Sequence, residues 1–228
     1  MTYRFQFQVI WDNLDLFLEG VILTLQLSSC AIALGLLVGI IGALFRTSGN
    51  RFLGIVAGAY VEAIRNTPFL VQLFFIFFGI SSLGPRIGSG QAALLALTIN
   101  FGAYATEILR AGIQSIEPSQ IEAGLSLGLN RFQVFRLVVL KPAIANIYSA
   151  LTSQMVLLFL LSSVVSQISA KELTYMGNFL RSRTFRDFEV YFVLALIYIV
   201  LALSFKVDFK VAEGARSQKI AHICQLLR

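Results

Sequence analysis

The sequence predicts an all-α, polytopic membrane protein with five transmembrane helices, and three observations carry that expectation. Hydrophobic residues fill 57% of the 228 positions and charged residues only 13%, about half the charge of an ordinary soluble domain. The charges are also segregated: residues 20–45, 66–85, 87–106, 142–170 and 190–205 contain none. A bilayer core about 30 Å thick is crossed by roughly 20 apolar helical residues, which every run but the shorter last one supplies. These features exclude a soluble enzyme, a disulfide scaffold and a disordered tail.

The net charge of +6 has no basic surface domain to carry it. Nucleic acid is therefore not an expected partner, and the excess is read as anchoring cytoplasmic loops beside the lipid bilayer. Cys30 lies in an apolar run, Cys224 lies in the polar tail, and His222 is the only histidine. No disulfide, metal site, catalytic residue or bound cofactor is expected from that inventory. Ahead of the first run stand Asp12, Asp15 and Glu19 against Arg4 alone, the wrong sign for the basic start of a signal peptide. The run is also too long for a signal-peptide core, so it is read as a retained span.

The first span covers about residues 20–45, with Gly35, Gly39 and Gly42 on one small-residue face suited to close helix contact. A second G-x-x-x-G, made by Gly54 and Gly58, opens the next segment. The second span, about 52–80, is longer than a bilayer requires and is interrupted by Glu62, Arg65 and then Thr67-Pro68. Thr67 suits a helix N-cap and Pro68 the first helical position, so a helix is expected to restart there. Residues 52–61 are too few to cross alone, and the region is read as one bent or partly interfacial span. The third span is about 91–112, the fourth about 143–161 and the fifth about 190–205. Residues 1–228 are read as a single domain without internal repeats.

Five spans place the termini on opposite sides. One side receives Arg46, Arg51, Arg110, Arg131, Arg136, Lys141 and the tail's Lys206, Lys210, Arg216, Lys219 and Arg228. The other receives Arg4, Arg86, Lys171, Arg181, Arg183 and Arg186. The richer side is cytoplasmic by the positive-inside rule, which puts the N-terminus outside and the C-terminal tail, about 206–228, in the cytoplasm.

The cytoplasmic loop, about 113–141, is too long for a turn and too patterned for a linker. Ser119 with Glu122 predicts a capping box that starts a helix at Gln120, and Gly128 is placed to end it in a left-handed cap. Asn130 with Gln133 predicts a second helix carrying Phe132 and Phe135 towards the membrane. Ala123 and Gly124 lack bulk, which leaves room for another surface. On the residues alone, Glu122 and Gly128 serve equally well as a plain cap and a plain turn.

The run 122–142, EAGLSLGLNRFQVFRLVVLKP, resembles the E-A-A loop of permease subunits of ABC importers. Glu122, Ala123 and Gly128 match that signature by position; Gly124 replaces its second alanine, and Pro142 stands one place late, after Lys141. Two further stretches, RNTPFLVQL at 65–73 and FGAYATEILRAGI at 101–113, are similar to the polar amino acid branch of the same permeases. The resemblance covers about 20–205 and implies a type I ABC importer permease fold in a bacterial cytoplasmic (inner) membrane. It implies that Ser119, Glu122, Ala123, Gly124 and Gly128 form a coupling helix seated on a separate ATPase subunit, which alone uses ATP and Mg. A second permease subunit, identical or paralogous, an extracytoplasmic solute-binding protein and an amino acid substrate complete the implied assembly. The absence of a G-x-x-x-x-G-K-[ST] phosphate loop agrees with hydrolysis elsewhere.

A transport path needs polar groups that lipid would not tolerate. Asn100, Tyr104 and Glu107 share one face of the third span, and Ser149 and Ser153 share a face of the fourth with Gln154 beside it. Thr67, Pro68 and Gln72 add the helix restart, whose N-terminal dipole suits a substrate carboxylate. The alternative is that these residues only join helix to helix. A basic substrate suits Glu107 and an acidic one Arg65, so the residues argue both ways. The outer segment 171–189 sets Leu173, Met176, Phe179 and Leu180 among Arg181, Arg183 and Arg186. That pattern fits an amphipathic helix at the outer interface, serving either as a docking ledge or as a headgroup anchor. The rival functions are a secondary transporter or channel without an ATPase, and a non-transporting assembly subunit.

Overall fold

The computed structural model describes residues 5–226, with side chains as far as residue 207. A short helix α1 (Gln8–Trp11) precedes α2 (Leu14–Thr47), α3 (Arg51–Arg65), α4 (Phe69–Ser82) and α5 (Ser89–Gln114). Then come α6 (Pro118–Ser126), α7 (Arg131–Val134), α8 (Leu140–Leu161), α9 (Leu173–Thr184) and α10 (Asp187–Leu226). A π turn, Phe135–Val139, joins α7 to α8, and a 3-10 stretch, Ser162–Ile168, extends α8. No strand occurs among the described residues.

The glycine face of α2 packs on α5, and the register gives their relative direction. A Cβ on Gly35 would fall 2.8 Å from Phe101, one on Gly39 2.5 Å from Ala105, and one on Gly42 would strike Thr106. Residue numbers rise together along both helices, so α2 and α5 are parallel. Without water to drive helices together in lipid, this close approach of backbones supplies the van der Waals contact that holds the pair.

Two parallel spans require a crossing between them, and α3 with α4 makes it. The 15 residues of α3 and 14 of α4 reach about 22 Å and 21 Å, so neither crosses the core alone. They meet at a bend of 108°. The first lies across α5: Tyr60 donates to the Ile99 carbonyl at 2.6 Å and Arg65 sits over Tyr104. The second climbs along α5, setting Phe74, Ile76 and Phe77 against the cluster of Ala92, Ala93, Ala96 and Leu97.

Thr67 does not cap α4. Its hydroxyl donates back to the Ala63 carbonyl at 2.9 Å, and Pro68 takes the N-cap position, so the helix starts at Phe69, one place later than expected. The break leaves the last carbonyls of α3 without helical partners, and Thr67 is near enough to take one up.

The chain then runs back. Gly112 of α5 faces Ile147 and Ala143 of α8, while Ser89 at the other end of α5 donates to the Ser169 carbonyl, so α5 and α8 are antiparallel. The head of α10 lies beside the N-terminal residues, where the Gln6 N–H donates to Glu189 at 2.9 Å and Arg186 to the Gln6 carbonyl oxygen of its side chain at 2.7 Å. From there α10 passes α8 with Tyr198 and Phe205 against Phe159. Among the described residues four helical runs are long and apolar enough to cross a membrane, and the bent pair α3–α4, taken as one span, makes a fifth.

Boundaries differ from expectation in physically explicable ways. The first span is longer, because α2 continues outwards beside α9, where Gly20 meets Leu173. The fourth span begins much earlier, since Arg131–Ile168 is one helical run; the expected second loop helix is its first turn rather than a separate element. Pro142 explains the π turn before it: proline offers no N–H to the carbonyl four residues back and its ring crowds that carbonyl, so the ladder widens to i→i+5 spacing over 135–139. The expected polar tail continues α10 as helix to Leu226. The tail side chains from Lys210 onwards, and Arg4, which the orientation argument uses, lie outside the described side chains.

Candidate functional site

Two groups of the expected site residues are brought together, one in the loop between α5 and α8 and one at the bend of the second span. In the loop, α6 starts at Pro118 with Glu117 at the N-cap, and the Ser119 hydroxyl donates to the Glu117 carboxylate at 3.2 Å. The expected Ser119–Glu122 capping box is therefore not made; proline at the first helical position moves the start forward and leaves Glu122 exposed.

One face of α6 is turned inwards. Ile121 packs with Ile116, Val139 and Ala143, and Gly124 is buried, a Cβ there falling 3.2 Å from Val134 and 3.3 Å from Val138. The small size of Gly124 thus serves the chain's own packing and not an outside surface. Glu122, Ala123, Leu125, Ser126 and Leu127 face outwards, with Leu127 82% exposed. The helix ends at Gly128, φ 81°, where the Leu129 N–H donates to the Gly124 carbonyl at 3.3 Å, a left-handed cap. Asn130 and Gln133 then form a reciprocal capping box, both bonds at 2.9 Å. The arrangement presents a short, rigid helix with an acidic, small and apolar outer face.

At the bend, Gln72 gathers the polar atoms. Its NH2 donates to the Ile64 carbonyl at 2.7 Å, the Thr67 carbonyl at 3.0 Å and the Thr67 hydroxyl at 2.9 Å. Its carbonyl oxygen accepts from Asn100 at 3.0 Å. Both amides are buried, and these bonds join α3, α4 and α5 across the break. The polar face of α5 meets a different helix at each step: Asn100 meets α4, Tyr104 holds the Arg65 guanidinium of α3 5.4 Å from its ring centre, and Glu107 lies 3.8 Å from Arg46 of α2. Glu107 also accepts from Arg110, at 3.0 Å from its Nε. Gly58 makes room for Arg46, since a Cβ there would strike its guanidinium, whereas Gly54 touches little. On α8, Ser153 is exposed and Gln154 half-buried, and neither joins the group at the bend.

The segment 171–189 contains residues that sequence reasoning missed. Glu172 is fully buried; it caps α9 by accepting from Thr174 at 2.8 Å and Tyr175 at 2.6 Å, and it accepts the Tyr198 hydroxyl of α10 at 2.8 Å. The Leu173 N–H beside it donates to the Thr24 hydroxyl of α2 at 2.9 Å. Burial pushes the Glu172 carboxyl up to about 6, against the lowering pull of its hydrogen-bond donors. The only local signal was a glutamate directly before an amphipathic run. Leu173, Met176 and Leu180 are buried against the chain's own helices, while Phe179 is half-buried. Arg181 and Arg183 remain exposed. Among the described residues, no group of histidine, cysteine or carboxylate side chains suited to a metal comes together.

Over residues 32–212 the chain matches the family described as binding-protein-dependent transport system inner membrane component. It is 34% identical over 202 residues to the glutamine transport system permease protein GlnP of Escherichia coli (strain K12), covering 88% of this chain and 92% of that one. It is 33% identical over 205 residues to the probable glutamine ABC transporter permease protein GlnM of Bacillus subtilis (strain 168), covering 90% and 95%. Its fold superposes on a crystal structure of an amino acid ABC transporter with histidines at a TM-score of 0.88 and 37% identity, covering 93% of this chain and all of that one.

Proposed function

The chain belongs to the family of binding-protein-dependent transport system inner membrane components, as a multi-pass permease subunit of an ABC importer, and from that premise we propose how it works. It lines the path for a polar or charged amino acid and receives its drive through α6. The observation that carries this reading is the outward face of α6, where exposed Glu122, Ala123 and Leu127 stand on a helix locked by Gly128 at one end and by burial of Ile121 and Gly124 on the other side. A separate ATPase subunit, the user of ATP and Mg, seats on that face in the cytoplasm; a second permease, identical or paralogous, faces this one across the path. The C-terminus is cytoplasmic and the N-terminus outside, the orientation favoured by the basic loops. Glutamine in the relatives' names and histidines in the solved neighbour support a polar amino acid as cargo.

Gly128 gives the test. A Cβ there meets nothing, so the obstacle to substitution is the positive φ alone, about 1–2 kcal/mol for an L-residue. Gly128→Val is expected to insert and fold while ATPase activity separates from uptake; Gly128→Asn, which tolerates this conformation, restores most coupling. Normal uptake by Gly128→Val refutes the coupling role. A solute-binding protein docks on the outer end, where Arg181 and Arg183 are exposed on α9. Reversing both charges is expected to weaken its stimulation of the ATPase severalfold, and unchanged stimulation rejects that surface.

A further inference from the structure

Two cavities adjoin where α8 leaves the cytoplasmic face. The first, about 490 Å³, is lined by Phe132, Gln133, Arg136, Leu137 and Lys141. The second, about 360 Å³, is wholly apolar in its lining, with Ile40 and Leu44 of α2, Leu109 and Ile113 of α5, and Val139 and Ile147 of the fourth span. Leu140 and Ile144 line both. Each falls within the size range of small-molecule sites, about 300–1,000 Å³, and together they run from a basic mouth to a hydrocarbon-like groove.

The cations at that mouth share it because of the π turn. Residues five apart in an α-helix point about 140° away from each other, which would send Arg136 and Lys141 to different sides. The widened turn over 135–139 takes up part of that angle, and both side chains line one cavity. Among the described residues no carboxylate pairs with either. Gln133 spends its carbonyl oxygen on the Asn130 N–H, which leaves its NH2 as a donor for an anionic oxygen.

We propose that these cavities form a binding site for one anionic phospholipid of the cytoplasmic leaflet, its phosphate held by Arg136, Lys141 and Gln133 and an acyl chain lying in the groove beneath. Charge complementarity selects this occupant. A second protein surface seated here would bury two unpaired cations, whereas a headgroup phosphate neutralises them at the level where its chains enter the apolar groove.

The test is native mass spectrometry of the full-length protein purified in mild detergent and titrated with phosphatidylglycerol or phosphatidylcholine. One phosphatidylglycerol is expected to be retained in strong preference to phosphatidylcholine. Arg136→Gln with Lys141→Gln weakens that binding about 30-fold, and soluble glycerol phosphate does not compete. Ile144→Trp fills the groove without altering charge and displaces the lipid, which decides the matter if the double variant does not purify. Equal retention of both lipids, unchanged binding in the variants, or competition by glycerol phosphate overturns the proposal. So does efficient cross-linking of Leu137→Cys to a second copy of the chain, which would show a protein on this face.

Discussion

The two ends of the bundle hold a carboxylate in opposite ways. At the end nearer the α6 loop, Glu107 is about a quarter exposed and sits between the cations Arg46 and Arg110, with Arg65 nearby over Tyr104. At the opposite end, Glu172 is fully buried and pairs with no cation among the described residues; it accepts from two backbone N–H groups and the Tyr198 hydroxyl. The acid near the α6 loop is held by charge, which salt and water weaken, so the glycine face beside it, and not this pair, is what holds α2 to α5. The acid at the head of α9 is held by directional bonds in a dry site, where every lost partner leaves another polar group unsatisfied. The α9 end is therefore built as a fixed joint of directional bonds between α2, α9 and α10, whereas at the other end the charges add only a screened contact to helices already held by close packing.

Glu172→Ala is the strongest challenge to that contrast. It removes the cap of α9 and strands the Tyr198 hydroxyl, and it is expected to cost about 3 kcal/mol, read as a lower thermal unfolding midpoint in detergent with Glu172→Gln retaining more of the stability. A loss no larger than that of an exposed alanine substitution would dissolve the fixed-joint description. Acidity probes the same site more gently. The fold raises the Glu172 carboxyl from 4.5 to about 6, so it binds the proton more tightly than the unfolded chain does. The resulting stability is fully present below pH 4.5 and is lost as pH rises through about 6. That shift amounts to about 2 kcal/mol, and the difference between wild type and Glu172→Gln should follow it. A flat difference across this window counts against a titrating buried acid. The smallest effect is expected at the other end: Glu107→Gln should change stability by about 1 kcal/mol or less and leave little salt dependence. A loss matching that of Glu172→Ala would show that both ends are equally fixed.

Local spacing made much of this architecture legible. Gly35, Gly39 and Gly42 marked a packing face, Gly128 was placed to end the first loop helix in a left-handed cap, and Thr67-Pro68 marked the break. What spacing could not supply was the partner of each face. Asn100, Tyr104 and Glu107 were readable as a stripe, yet each meets a different helix, and Gln72 turns out to join the ends of the broken span. Glu172 was invisible because its burial depends on Tyr198 and on Thr24, whose contact with Leu173 spans 149 residues. Ser119 was misassigned because two N-terminal signals overlap, and the proline at the preceding position prevailed. The lateness of Pro142 was visible as a departure from the family pattern, but its widened turn belongs to backbone sterics that residue identity alone does not display.

The parallel pairing of α2 with α5 bears on how the protein is made. Parallel spans cannot be joined by a hairpin, so the glycine face of α2 must wait in the bilayer until α3, α4 and most of α5 have left the ribosome. During that interval Gly35, Gly39 and Gly42 face lipid, or any other small-residue helix within reach. Membrane insertion and helix assembly are consequently separate stages for this chain, and the span inserted first is among the last to find its permanent neighbour.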